Sequence, residues 1–369
     1  VVIAEQLLAP VPGGTGRYTA ELLAALADTA PPGWGVRSVV AWHRDVAGAA
    51  VAGVSGPRRL PLPRRGLVGL WERGVRLWPG GASVHAPTPL APPRPRRGRR
   101  LVVTVHDTIP FTHPETLTPR GVAWHRAMIA RATRHADAVL VPTAAVATEL
   151  RRYAPGPAPV HVVPHGVPAA LLATPGPDEA ARVAERLSLP EGYVLAVGTI
   201  EPRKGLDLLV EAMAAAGAPD LPLVVAGPRG WGGVDLAAIA DAHGLRPERL
   251  RLLGRITDAE LAVVLRRASV LAVPSRAEGF GLPVLEAMAA GVPVVHSDAP
   301  ALVELSDETT VVTPRGDVGA LTVALRHIVE GETAELIPLA RRRAADFTWS
   351  KAAQAVWRVH AGESSSVKW

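Results

Sequence analysis

The chain of 369 residues is 48% hydrophobic, enough to bury one large core or, at ordinary domain sizes, two. It has no cysteine, which excludes disulfides and thiolate metal sites and is compatible with a reducing cytoplasm. The formal charge is +6, but only Lys204, Lys351 and Lys368 among the 40 basic residues are lysines, an arginine bias that makes part of the basicity compositional. No run approaches the ~18 uninterrupted apolar residues of a membrane span. The chain opens on Val1 and Val2, already strand-like and without Met, so whether the native start precedes Val1 stays open.

The strand at residues 1–4 leads into a glycine loop, Pro12, Gly13, Gly14, Thr15 and Gly16, and then a helix expected over residues 17–29, with Tyr18, Leu22 and Leu26 at helical spacing. Strand, glycine loop and helix open a Rossmann-like unit. A dinucleotide fingerprint would need a third glycine where Thr19 stands, so the loop reads as a close approach of backbone to substrate or as a plain strand–helix turn. Further strands are expected at residues 36–42, 83–86, 101–105, 138–141 and 160–163, with helices at 119–135 and 144–153 between them. The alternation predicts a parallel, doubly wound sheet. His106 follows a strand at its carboxyl end, where ligands bind in such sheets; it is either a cleft-facing hydrogen-bonding or acid/base group or a loop histidine.

Between Arg58 and Arg100 the chain is rich in Trp and Arg. Leu67, Leu70, Trp71, Val75 and Trp78 could share one helical face with arginines nearby. Such a helix can lie on an anionic membrane or cover the sheet. Nucleic acid is not expected, because stacking aromatics do not interleave the Arg runs. Pro and Gly concentrate over residues 155–168, placing a boundary and hinge at about 165–180.

In the second half, the strand at 194–197 ends in Gly198 and the loop Glu201, Pro202, Arg203, Lys204, Gly205. Adjacent Arg and Lys there make a pocket for anionic oxygens, one bidentate and one a point charge. Strands follow at 223–226 and 249–253, the latter leading to Ile256, and a helix begins at Asp258. The stretch around which the chain is organised is strand 270–273, a loop through Gly281, a helix opened by Pro283 and stopped by Gly291 and Pro293, and a strand at 292–295. The loop–helix junction favours an anion. Its two carboxylates, Glu278 and Glu286, suit hydroxyl donors, or else they are a capping and a solvated glutamate. Phosphate on backbone amides with sugar hydroxyls on carboxylates would describe a nucleotide sugar. The final helix is expected at 347–360.

Glu278 to Glu286, EGFGLPVLE, has the E-x7-E pattern of retaining glycosyltransferases of family 4. GTIEPRKG, HDTIP and the early PGGTGRY resemble the same family in the expected order, so the resemblance covers roughly residues 1–360. It implies a GT-B fold: an α/β chain of two Rossmann-like, doubly wound domains facing a cleft. The corresponding division is residues 1–172 on the acceptor side, 173–345 for the nucleotide sugar, a helix at 346–361 crossing back to the first domain, and a mobile tail at 362–369. The resemblance also implies roles. Arg203 and Lys204 hold the donor diphosphate, Glu286 takes the ribose hydroxyls, and Glu278 and His106 sit beside the transferred sugar. Backbone at Phe280, Gly281 and Leu282 reaches sugar or phosphate, Gly14 approaches the diphosphate, Gly13 and Gly198 bind substrate, and Ile256 lines the base pocket.

No Asp-x-Asp triplet occurs, so a metal-chelating mechanism is not expected; neither metal nor cofactor is called for, the nucleotide sugar being the substrate. Mannose from GDP-mannose is the expected donor group, with a UDP-sugar-dependent hexosyl- or N-acetylhexosaminyltransferase as the alternative. A sugar-nucleotide epimerase and a non-catalytic nucleotide-sugar-binding protein fit the motifs less well. The acceptor is a hydroxyl of a glycan, glycolipid or small molecule. A cytoplasmic location is expected, with peripheral contact at the inner membrane face through the Arg58 to Arg100 segment as an option.

Overall fold

The structure is a computed structural model and describes residues 1–363; the expected tail lies from residue 364 onward outside the described residues. Two compact units emerge, Val1–Gly166 together with the segment from Phe347, and Val167–Asp346.

In the first unit the strands are β1 (Val2–Ile3), β2 (Arg37–Val40), β3 (Ser55–Arg59), β4 (Ser83–Ala86), β5 (Arg100–Thr104), β6 (Ala138–Val141) and β7 (Val160–Val162). They form one parallel sheet in the order β3-β2-β1-β4-β5-β6-β7. β4 and β6 are buried at every position, as strands of a doubly covered parallel sheet should be; β6 is an unbroken apolar run, whereas β4 buries the polar Ser83 and His85. The strand order reverses between β1 and β4. In an open α/β sheet, the carboxyl ends of strands beside that reversal form the ligand crevice.

The second unit repeats the plan with β8 (Val194–Val197), β9 (Leu223–Ala226), β10 (Leu250–Gly254), β11 (Val270–Val273), β12 (Val294–Ser297) and β13 (Val311–Thr313), ordered β10-β9-β8-β11-β12-β13. Here the reversal falls between β8 and β11, which pair directly through Val194 with Val270 and Leu195 with Leu271. The loops leaving these two strands at their carboxyl ends are therefore neighbours. They are the two loops that carry Arg203–Lys204 and Glu278.

The edge strands β3 and β13 have no counterpart in the sequence reading. β3 reads Ser-Gly-Pro-Arg-Arg and is mostly exposed, so no apolar run marks it; its partner in the sheet, not its own composition, makes it a strand. The helix Gly13–Asp28 corrects another expectation. It begins at Gly13 rather than residue 17, because the Gly16 N–H already donates to the Pro12 carbonyl at 2.9 Å. A Cβ at Gly16 would collide with the Pro12 ring, so this glycine is needed for packing of the first turn.

The Trp-rich segment is corrected as well. Its helix spans only Arg64–Glu72 and turns away at Gly74, whose φ is +79°, so Val75 and Trp78 do not continue the face. Leu67 and Trp71 are fully buried among Leu60, Val84 and Leu101, and Trp78 packs on the same core. The apolar face covers the sheet, and Trp71 has nothing left to offer a membrane. No helix among the described residues is long and apolar enough to cross one.

The last helix, Trp349–Ala361, packs in the first unit, where Trp349, Ala353 and Val356 join Tyr18, Leu22 and Leu26. Thr348 caps it by accepting the Lys351 N–H, and Gly362 at φ +94° ends it.

Candidate active site

The two loops at the reversal of the second sheet are tied to each other by backbone. Arg276 N–H donates to the Arg203 carbonyl at 2.8 Å, and the Arg203 guanidinium donates to the Ala277 carbonyl at 3.0 Å. Gly205 sits at φ +63° with its α-carbon against the Pro274 carbonyl, so a Cβ would strike that oxygen. Both constraints demand glycine. Gly205→Ala is expected to push the loops apart and lower kcat/KM about 100-fold, since an ångström of displacement costs that much at a reacting centre. Unchanged kinetics in a folded variant would show that loop spacing is not critical.

Within this pair of loops the charged groups converge. One Glu278 oxygen accepts from Lys204 Nζ at 2.6 Å and from Ser275 Oγ at 2.8 Å; the other accepts from Arg203 at 2.9 Å. Arg203 also donates to Glu201 at 2.6 Å. Burial by itself would raise the Glu278 carboxyl, but Lys204 and Arg203, with the two hydrogen bonds, outweigh it and hold it at about 2. It is ionised throughout the neutral range. Two cations are thus matched by two carboxylates, all of them largely shielded, with side chains 8 to 18% exposed.

Sequence reading pointed to Arg203, Lys204 and Glu278, and the structure brings these three together. It did not single out Ser275 or Glu201. Ser275 is fully buried and stands three residues before Glu278, the spacing of a capping box, which is the one signal that could have found it. Ser275 is in turn fixed by Ser297, whose hydroxyl donates to the Ser275 carbonyl at 2.6 Å.

The helix Leu282–Ala290 follows directly. Gly281 enters it at φ +104° with its α-carbon against Leu302, and Gly291 at φ +73° ends it as expected. Glu286 lies on this helix at 1% exposure, so it is neither a solvated nor a capping glutamate. Phe280 is buried and Leu282 half-buried beside Gly281. Gly198 ends β8 at φ +146°, its α-carbon facing the Lys204 side chain, and Ile256 is half-buried just beyond the carboxyl end of β10.

The remaining candidates belong to the first unit. Gly13 and Gly14 are exposed in the first turn of their helix. His106 follows β5, and its Nε2 donates to the Pro87 carbonyl at 2.8 Å, which leaves Nδ1 as the acceptor nitrogen. Burial lowers its pKa, so the ring is neutral near pH 7. Its ring meets the Tyr18 edge at 4.5 Å, and Tyr18 also contacts His165 and Trp349. The Tyr18 hydroxyl is hydrogen bonded to Thr104 at 3.1 Å, Thr104 to His85 at 3.0 Å, His85 to His360 at 3.2 Å and His360 to Ser83 at 2.6 Å. This polar column through the core links the last helix to the surroundings of His106; no sequence pattern announces it.

The chain thus holds two doubly wound parallel sheets, with an Arg–Lys pair and two buried glutamates beside the reversal of the second. Comparison places it further. Residues 177–344 match the family Glycosyl transferases group 1, and residues 12–171 match Glycosyltransferase Family 4. The O-antigen chain mannosyltransferase B of Escherichia coli is 30% identical over 69% of this chain and 68% of its own length. The D-inositol 3-phosphate glycosyltransferase of Gordonia bronchialis is 35% identical over 60% of this chain, but only 51% of its own length is spanned. Among solved structures, Anabaena HepE in complex with UDP-glucose superposes with a TM-score of 0.74 at 20% identity, covering 98% of both chains. Sucrose-phosphate synthase from Thermosynechococcus elongatus does so with 0.73 at 21%, again over 98% of both. The chain belongs to the family 4, group 1 glycosyltransferases, which retain anomeric configuration.

Proposed function

We propose that this glycosyltransferase moves mannose from GDP-mannose to a hydroxyl acceptor. The observation that carries the site assignment is the convergence of Lys204, Arg203 and Glu278 beside the reversal of the second sheet. The likeness to a mannosyltransferase over two thirds of both chains supports the sugar. Arg203 and Lys204 hold the donor diphosphate, and the buried Glu286 takes the ribose hydroxyls. Glu278 orients both cations and faces the transferred sugar. Backbone at Phe280, Gly281 and Leu282, with Gly198, lies along sugar and phosphate, and Ile256 borders the base. In the first unit, Gly13 and Gly14 are exposed in the first turn of their helix and His106 is held neutral, which suits each of them to hydrogen bonding with substrate.

The chemistry follows the charge. Cleavage of the anomeric C–O bond leaves positive charge on the sugar and a further negative charge on the diphosphate. A cation fixed close to that oxygen is worth roughly 4 kcal/mol at an effective dielectric of 20 before desolvation. Held in place beforehand by Glu201 and by Glu278, itself fixed by the Ser275 hydroxyl, the cations need no reorganisation as charge develops. The acceptor oxygen attacks from the face the leaving group departs, and the departing phosphate oxygen takes the acceptor proton. Configuration is thereby retained.

The deciding experiment is a panel of GDP-, UDP- and ADP-sugars with EDTA present, scored for binding and slow donor hydrolysis. Selective release of mannose from GDP-mannose is expected. Selective release from a UDP-sugar would replace the donor and keep the site, whereas binding of none would overturn the site assignment.

A further inference from the structure

Arg276 lies in the β11 loop two residues before Glu278, and it makes three contacts to the opposite loop. Its guanidinium grips Asp207 bidentately, NH1 to Oδ1 at 3.0 Å and NH2 to Oδ2 at 2.6 Å. The same NH1 donates to the Pro202 carbonyl, and its backbone N–H donates to the Arg203 carbonyl. Asp207 stands in the first turn of the helix Leu206–Ala214, three residues after Lys204. Burial opposes ionisation of Asp207, but Arg276 and the amides of the helix start hold its pKa below the usual carboxylate range.

We propose that the Arg276–Asp207 pair is a positioning clamp for glycosyl transfer, setting the distance between the acidic loop and the Arg203–Lys204 loop. Three features separate this from a general stabilising ion pair. Every contact of Arg276 named above crosses from one site loop to the other, at Pro202, Arg203 and Asp207, the residues that flank Lys204. Both partners are about one-third exposed, the range in which an ion pair contributes little to global stability. The geometry is a planar fork on a carboxylate, which fixes orientation as well as distance, as a lysine could not. The site depends on that distance: Glu278 must reach Lys204 and Arg203 from the other loop, and both cations must address the same diphosphate. Arg276 and Asp207 touch no substrate in this account; they act through the cations. The inference rests on the phosphate role given to Arg203 and Lys204 above.

The test compares wild type with Arg276→Met, Arg276→Lys, Asp207→Asn, the Arg276→Met/Asp207→Asn double variant and Lys204→Ala. Calorimetric binding of GDP, UDP and ADP is measured beside the corresponding nucleoside monophosphates, together with thermal unfolding. In Arg276→Met and Asp207→Asn, affinity for the nucleoside diphosphate is expected to fall about tenfold while the monophosphate binds as before and the melting temperature scarcely moves. The double variant should lose no more than the worse single variant, because the two residues act as one clamp. Arg276→Lys should fall between wild type and Arg276→Met. Unchanged diphosphate binding in folded Arg276→Met, equal losses for mono- and diphosphate, or losses that multiply in the double variant would each overturn the clamp. If Lys204→Ala also binds the diphosphates normally, or wild type binds none of the three, the phosphate reading itself fails. Sensitivity at Lys204 with indifference at Arg276 removes the clamp alone.

Discussion

Replacing Lys204 by alanine is expected to lower turnover about 1,000-fold with the fold intact, the upper end of what losing one preorganised donor to a developing oxyanion costs. The lysine is one of only three in the chain, and its ammonium is held in the site by a charge-assisted hydrogen bond to Glu278 rather than left in solvent. Stability should change less than activity. Glu278 keeps Arg203 at 2.9 Å and Ser275 at 2.8 Å in the variant, so its buried charge is not stranded. Turnover and donor KM are read with the donor found in the sugar-nucleotide panel, and unfolding is followed by circular dichroism. A loss confined to turnover supports a group acting in the transition state, a rise in KM alone would indicate uniform donor binding, and near-normal values of both would remove Lys204 from the mechanism.

Acidification is expected to destabilise the first unit progressively as pH falls below 6.5. Four histidines there are held neutral by burial: His85, pushed down to about 3, and His106, His165 and His360, all lowered from 6.5. The groups facing them are mainly each other, Thr104, Ser83 and Tyr18; Asp107 beside His106 is the carboxylate that works against the shift. The sign follows from proton counting. Below pH 6.5 the unfolded chain protonates these rings and the folded chain does not, so stability present above 6.5 is lost as pH falls. Each such histidine costs about 1.4 kcal/mol per pH unit below 6.5 until its folded pKa is reached. His85 alone then costs about 5 kcal/mol by about pH 3, at the low end of the 5–15 kcal/mol typical of a domain, and the other three add to the loss in the same direction. In the second unit, His296 is also lowered by burial, and protonation of Glu278 adds a loss only below about 4.5. Tryptophan fluorescence against pH reads the transition, because Trp71 and Trp349 are buried in the first unit. His360→Gln keeps a partner for Ser83 but cannot charge, so its midpoint should lie at lower pH than wild type; wild-type stability that does not fall between pH 6.5 and pH 4 would refute this account.

How much of this was legible beforehand can be judged element by element. Strands β6, β8, β9 and β11 coincide with the expected segments, because a strand covered on both faces tends to be an unbroken apolar run with polar or glycine breaks at its ends; β4 coincides too, although Ser83 and His85 interrupt it. The edge strands β3 and β13 were invisible, since exposure removes that requirement. The start of the first helix was set too late because glycines that mark a loop by composition also permit a tightly packed first turn, as Gly16 does against Pro12. The Trp-rich helix left two partners open, and composition could not choose between a lipid surface and a sheet; burial of Leu67 and Trp71 against β4 and β5 chose the sheet.

For the site the division is similar. The residue types and order of Arg203, Lys204, Glu278 and Glu286 are chemistry that side chains carry wherever they sit, so the sequence by itself determined the family, the two-sheet plan and the candidate charges. Which charges meet was decided only by the tertiary structure. Direct pairing of β8 with β11 brings together loops about 75 positions apart, and it makes Glu278, Glu201, Ser275, Arg276 and Asp207 one connected set around Arg203 and Lys204. The polar column from Ser83 to Tyr18 has the same origin: its members are scattered from residue 18 to residue 360. Contacts of that span are fixed by which strands and helices pack side by side, and no local pattern encodes them.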